Sequence, residues 1–283
     1  SDDVLIASSS EMAMSSIALS KGSSIPVARS RQRYGTPKLP SDEVRQIAQD
    51  DLGLMWFATN RGVARFDGAD FESSSAQGSE LSSLDNVDVR SVALAGGSLL
   101  FGTVDGLSML RNGAMEHVPE FDGLTVNDIY EDAPGSVWVA SSEGLFRKGQ
   151  EAYSRVLPGS FASISVDPLD GSLWFAGGEI GGATRYAGGE LEPIEFATPA
   201  LLDGHSVTTV HRLGKGDLLL GTTGGVYRLV DGRPTPFLRE LVVGAVTSIV
   251  SDAQGNIWFG TDKGALLYDI RLQASSLDFA GEH

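Results

Sequence analysis

The sequence predicts an all-β propeller of four-stranded antiparallel blades, and three observations carry that prediction. One short string containing Trp or Leu recurs six times, a glycine follows each copy at a near-constant offset, and turn pairs suited to tight hairpins close the intervals.

The four tryptophans, Trp56, Trp138, Trp174 and Trp258, are separated by one or two units of about forty residues, the size of a propeller blade. Their strings, Trp56-Phe57-Ala58-Thr59, Trp138-Val139-Ala140-Ser141, Trp174-Phe175-Ala176-Gly177 and Trp258-Phe259-Gly260-Thr261, are variants of one another. The two missing copies are Leu100-Phe101-Gly102-Thr103 and Leu219-Leu220-Gly221-Thr222. These six strings are read as strand B, and the glycines that follow are Gly62, Gly106, Gly144, Gly182, Gly225 and Gly264.

Ahead of each string lies a β-branched segment, for example Val126 to Ile129, whose composition is that of a strand. This is strand A. Strand C follows the glycine, as in Val226-Tyr227-Arg228-Leu229, and ends in Asp67-Gly68, Asn112-Gly113, Gly188-Gly189 or Asp231-Gly232. Such pairs supply the positive φ that two-residue hairpin turns need. Strand D then carries prolines, as in Pro234-Thr235-Pro236, which suits an outer edge because proline donates nothing to a ladder. No segment has helical periodicity long enough for an α-solenoid. A β-sandwich is the bland alternative, and it would not require one Trp-bearing string six times.

The chain of 283 residues reads as one propeller domain, with six recognisable repeats over residues 41–270 and an N-terminal segment, 1–40, completing a closing blade. Seven blades are expected, with six as the alternative. In that scheme Val4 to Ser9 acts as a degenerate strand B, and the two termini meet so that no sheet edge stays open at the seam.

Between strands A and B three copies place an acid six residues before the tryptophan: Asp50 before Trp56, Asp132 before Trp138 and Asp252 before Trp258. Asp167 precedes Trp174 with one extra residue. In the leucine copies the corresponding residues are Ala95 and Leu213, so acid and indole come and go together. A buried indole N–H needs an acceptor, since leaving one unsatisfied costs about 1–3 kcal/mol. Two ancestral repeat types would give the same pattern. Either way these eight residues are read as structural.

Net charge is −16, from 21 Lys plus Arg against 37 Asp plus Glu, which repels a phosphate backbone and makes nucleic acid an unsuitable partner. There are no cysteines, so thiolate metal sites and Cys nucleophiles are excluded. His117, His205, His211 and His283 show no metal-ligand spacing, and no Gly-x-Ser-x-Gly elbow occurs. No cofactor, metal or catalytic residue is expected. No apolar run approaches the roughly 20 residues of a membrane-spanning helix, so any membrane anchor is expected outside this sequence.

The string Ile47-Ala48-Gln49-Asp50-Asp51-Leu52-Gly53-Leu54-Met55-Trp56, continuing through Gly62 to Asp67-Gly68, resembles the two-component regulator propeller family, as does the lead-in Leu39-Pro40-Ser41-Asp42-Glu43-Val44. The resemblance covers about residues 34–270 and carries no catalytic signature. It implies the periplasmic, ligand-sensing input domain of a bacterial membrane sensor of histidine kinase or diguanylate cyclase type. Streptogramin-type lyases have similar Gly-x-x-Trp blades, and with so few histidines that enzyme reading is the weakest. The expected partner is a small molecule or glycan; a protein platform or self-association is the alternative.

Loops that differ from blade to blade on a repeated rigid scaffold are where binding is expected. The B–C loops therefore nominate Asn60, Arg61, Asp105, Glu143, Glu179, Thr223, Asp262 and Lys263 as ligand-binding residues. Residue by residue, plain solvated turns are the competing reading. Because the closing blade is assigned to the N-terminal segment, deleting residues 1–33 is expected to lower the melting temperature strongly; an unchanged melting temperature would mean a ring that closes without them.

Overall fold

The computed structural model describes residues 39–268, apart from 42, 76–78, 85, 150–151, 180, 195–198, 215–216, 231–232, 240, 243 and 253–254. The described residues form six antiparallel sheets, spanning residues 44–73, 89–117, 126–158, 160–193, 207–237 and 246–268, numbered here as blades 1 to 6. Blades 1 to 5 have four strands in simple A-B-C-D order, and blade 6 has three. The A strands pack on one another in a row from blade 1 to blade 6, which places them innermost. The fold is a β-propeller.

Among the described residues there are six blades rather than the expected seven, and they correspond to the six strings that have a following glycine. Four of those glycines, Gly62, Gly106, Gly225 and Gly264, have φ between 125° and 135°, a conformation that residues with a Cβ rarely adopt. Val4 to Ser9 has no glycine at that offset. The closing blade expected from residues 1–40 falls, but for Leu39 and Pro40, outside the described residues, and so does the chain that follows Tyr268 in blade 6.

Both faces of strand B are buried, because each blade is covered by its neighbours. Trp56 lies in one cluster with Val89, Val92 and Phe101 of blade 2, its ring centroid 5.7 Å from that of Phe101. Trp138 meets Phe175 of blade 4 at 4.9 Å, and Trp174 joins Val207 and Leu220 of blade 5 and Leu202 of the linker before it. The repeating unit of the core is thus the Trp face of one blade against the Phe or Leu face of the next.

Each indole N–H is satisfied by the acid of the preceding turn. The Nε1–Oδ2 distances are 2.8 Å for Trp56–Asp50, 3.0 Å for Trp138–Asp132, 3.2 Å for Trp174–Asp167 and 3.4 Å for Trp258–Asp252. The hairpin register places an arginine opposite three of the tryptophans, Arg65, Arg147 and Arg185, with guanidinium carbons 5.7, 4.8 and 5.8 Å from the indole centroids. Cation–π contact of this kind adds about 0.5–2 kcal/mol.

The linkers from strand D to the next strand A insert one apolar anchor each: Leu81, Phe121, Leu202 and Val242, all buried. Between blades 3 and 4 the linker shrinks to Gly159, whose φ is 99° and whose Cβ, if present, would overlap the backbone of Glu179. With no anchor there, Phe161 stands where the other A strands begin with valine and fills the space with its buried ring.

Trp138 is 1% exposed, whereas Trp258 is only partly buried. Trp138→Ala is therefore expected to destabilise by about 3–5 kcal/mol, and Trp258→Ala by clearly less, in denaturant unfolding. Equal losses would mean that burial between blades is not what the indole contributes.

Candidate ligand-binding face

The B–C loops and the linkers into strand A share one end of all six sheets. In five blades the last residue of strand B locks the loop by donating its hydroxyl to the carbonyl of the following glycine: Thr59 to Gly62 at 2.7 Å, Thr103 to Gly106 at 3.0 Å, Ser141 to Gly144 at 2.9 Å, Thr222 to Gly225 at 2.9 Å and Thr261 to Gly264 at 2.8 Å. The tips are held at fixed height. Blade 4 has Gly177 at this position and a longer loop.

Arg61, Asp105, Glu143, Glu179, Thr223, Asp262 and Lys263 are exposed at these tips, and Asn60 is half-buried, donating to Glu43 Oε2 at 2.7 Å. Thr223 Oγ1 lies 3.3 Å from His205 Nδ1. The eight residues are distributed one or two per blade around the ring. Among the described residues none of them hydrogen-bonds to a side chain in another blade's B–C loop.

A second set of side chains on this end was not found by sequence reasoning. Every A strand carries a β-bulge one residue after its leading Val or Phe, so that Arg45, Arg90, Asn127, Ala162, Thr208 and Thr247 are the extra residues. Bulges re-aim a side chain and recur next to functional sites. Here several of them point around the axis to the next blade. Arg45 pairs with Asp88 at 2.8 Å, Arg90 donates to Asn127 Oδ1 at 3.3 Å, Asn127 Nδ2 donates to the Phe161 carbonyl at 2.8 Å, and Thr208 Oγ1 to the Val246 carbonyl at 2.5 Å. They form a collar at the mouth of the axis. The signal was present in the sequence as a polar residue one place after the first valine of strand A in most copies, but alternation alone gives no reason to single it out.

Below the collar the axis is crossed by a polar bridge. Asp128 accepts from Gln46 Nε2 at 3.2 Å, from its neighbour Ile129 N at 2.9 Å and from Ile164 N at 2.8 Å, while Gln46 Oε1 accepts from Val92 N at 2.6 Å. Blades 1 to 4 are thereby tied together. Both residues are buried, and desolvation pushes the Asp128 carboxyl up to about 6, against the lowering effect of its three donors.

The opposite end carries two shallow depressions, of about 310 and 720 Å³. The smaller is lined by Asp132, Asp170, Ser172, Arg185 and Tyr186, the larger by Pro134, Ser136, Arg147 and Lys148. In the smaller one the charges are mutually engaged: Asp170 meets Arg185 at 2.7 Å and Arg212 at 3.2 Å, and hydrogen bonds from Ser172, helped by the Arg185 guanidinium, hold the Asp170 carboxyl down at about 2. Asp167 is buried, which works against its charged form, yet hydrogen bonds from Arg212, Leu169 N and Trp174 hold it below the usual range. His211 Nε2 lies 2.7 Å from Ser251 Oγ, and burial pulls the imidazole down to about 4, so it is neutral and a weak base near pH 7. The oxygens of nearby Asp167 are already committed to other donors, so no oriented nucleophile–base–acid relay forms. Among the described residues no group of three His, Cys, Asp or Glu side chains is placed to hold a metal.

A family model described as two component regulator propeller matches residues 38–61 and 240–263, the lead-ins and first hairpins of blades 1 and 6. These two segments are two-component regulator propeller repeats. No curated protein matches it by sequence. Among solved structures it is similar to an extracellular domain assigned to a hybrid two component system of B. thetaiotaomicron, with 21% identity and a TM-score of 0.52 over 79% of this chain and 38% of that one. The chain thus spans well under half the length of that structure. It is also similar to a streptogramin B lyase, with 14% identity and a TM-score of 0.59 over 83% of this chain and 82% of that one, and to an ancestral GH74 enzyme, with 14% identity and a TM-score of 0.60 over 81% and 37%. At these identities the likeness concerns the fold.

Asp128 makes the pH dependence of stability predictable. Its folded pKa lies above the ordinary 3.8, so its contribution to stability is fully present below pH 3.8 and is lost as pH rises through about 6. The stability difference between the native protein and Asp128→Asn should therefore shift by roughly 2 kcal/mol against the native protein between pH 4 and pH 7.5. Unfolding of both proteins across that range checks it; a difference independent of pH would place the carboxylate in a solvated setting.

Proposed function

We propose that this chain is the ligand-sensing input domain of a bacterial membrane sensor, acting outside the cytoplasm by binding and without turnover, with a histidine kinase or diguanylate cyclase as output. The observation that carries the reading is the pair of regulator-propeller repeats at the first and last described blades, on a scaffold whose loop ends are rigid and whose loop residues differ. The resemblance to an extracellular sensor domain supports the same assignment. The binding surface is the B–C loop end, where the nominated tip residues surround the bulge collar, and the ligand is a small molecule or glycan.

A protein partner on this end is the second reading. Its support is three aliphatic side chains exposed in the linkers into strand A: Val87 at 62%, Leu201 at 51% and Leu241 at 63%. They sit apart in three linkers rather than in one patch, which favours the small ligand.

A thermal-shift screen against mono- and oligosaccharides tests the proposal. A ligand that binds only the native state raises stability by about 2.7 kcal/mol at a hundredfold excess over Kd, which appears as a shift of several degrees. Glu179→Ala or Lys263→Ala should reduce the shift without changing the melting temperature of the free protein. A flat response across the panel, or a shift untouched by loop substitutions, would overturn the assignment of this face.

A further inference from the structure

The collar at the axis mouth is unevenly charged. Arg45, on blade 1, is held by Asp88 at 2.8 Å and Glu43 at 3.2 Å, so its charge is balanced locally. Arg90, on blade 2, is exposed and has one side-chain partner among the described residues, the neutral Asn127 amide oxygen at the long distance of 3.3 Å. Partial desolvation and the neighbouring Arg45 charge pull the Arg90 guanidinium below its ordinary pKa, which Asp88 and Glu43 only partly offset. A cation in this setting gains from an arriving anion.

The geometry adds a chemical class. Arg90 presents a planar fork of five N–H donors, of which one is used among the described residues, and such a fork fits a carboxylate with two parallel hydrogen bonds. Asn127 is itself anchored on the Phe161 carbonyl at 2.8 Å, so it steadies the guanidinium from blade 3. One residue along from Arg45 and Asn127, the buried Gln46 and Asp128 side chains hydrogen-bond to one another at 3.2 Å. A net charge of −16 disfavours anions over the molecule as a whole, so an anion needs a local cation such as this one.

We propose that Arg90, steadied by Asn127, forms a carboxylate-binding subsite at the mouth of the propeller axis, and that the ligand carries an acidic group, most naturally the carboxylate of a uronic acid in a glycan. The inference rests on the sensing role proposed above and narrows its ligand class.

Calorimetric titration of the purified chain with trigalacturonate, with the neutral galactose trisaccharide and with succinate tests it. Trigalacturonate should bind, more weakly as salt is raised, and the neutral trisaccharide at least tenfold more weakly. Arg90→Gln should lose tenfold or more for the acid, while Arg111→Gln, which removes the same charge at the far end of strand C, should not. Arg90 makes one weak contact, so its variant is expected to keep the native melting temperature. Binding of succinate as tight as that of trigalacturonate would retain the subsite and make the ligand a small carboxylic acid. Undiminished acid binding by Arg90→Gln, or binding of the neutral sugar alone, would overturn the subsite and leave the sensing role standing. If no acid binds the native protein the subsite also falls, and the saccharide screen judges the sensing role separately.

Discussion

The structure depends on burying a strand-B aromatic between two blades while its one polar atom stays satisfied. Trp56, Trp138 and Trp174 each present a large apolar ring to the next blade, and each N–H reaches an aspartate in its own A–B turn. Two of these aspartates also shape their turns: Asp50 Oδ1 accepts from Leu52 N at 3.0 Å and Leu54 N at 2.9 Å, and Asp167 Oδ1 from Leu169 N at 2.9 Å. One carboxylate therefore shapes a turn and prevents the burial penalty of the indole. Where leucine replaces tryptophan no donor needs an acceptor, and the acid is dispensable.

Because neighbouring blades share each core cluster, a local change must be matched next door. The junction of blades 3 and 4 shows this most clearly. Loss of a linker there removes an apolar anchor, and Phe161 replaces it from the adjoining strand. Close packing leaves little tolerance for a void of that size. The polar bridge from Gln46 to Asp128 ties the same two blades to blades 1 and 2 from the axis side, at the cost of keeping a carboxyl out of water.

The two ends of the propeller use charge differently. On the A–B turn end, Asp167, Asp170, Arg185 and Arg212 close on one another, and depressions there are lined by groups already engaged. On the B–C loop end, fixed loop tips and strand bulges leave Arg61, Glu143, Glu179, Lys263 and the Arg90 guanidinium facing solvent. A rigid frame with varied, solvent-facing side chains at one end suits recognition, since little ordering entropy remains to oppose binding.

Much of this was legible in the residues themselves. The recurring Trp or Leu string, the glycine after it and the hairpin pairs determined the blade, because turn chemistry and strand composition act locally. The covariation of Asp with Trp pointed to their hydrogen bond for the same reason. What only tertiary structure decided were relations across blades and across strands: the arginine laid over each of three indoles, the substitution of Phe161 for a missing anchor, and the axial bridge. The bulge collar belongs with them. A bulge changes where a side chain points without changing the alternation of residue types, so Arg45, Arg90 and Asn127 read in sequence as ordinary strand residues, and their convergence exists only once six strands are arranged around one axis.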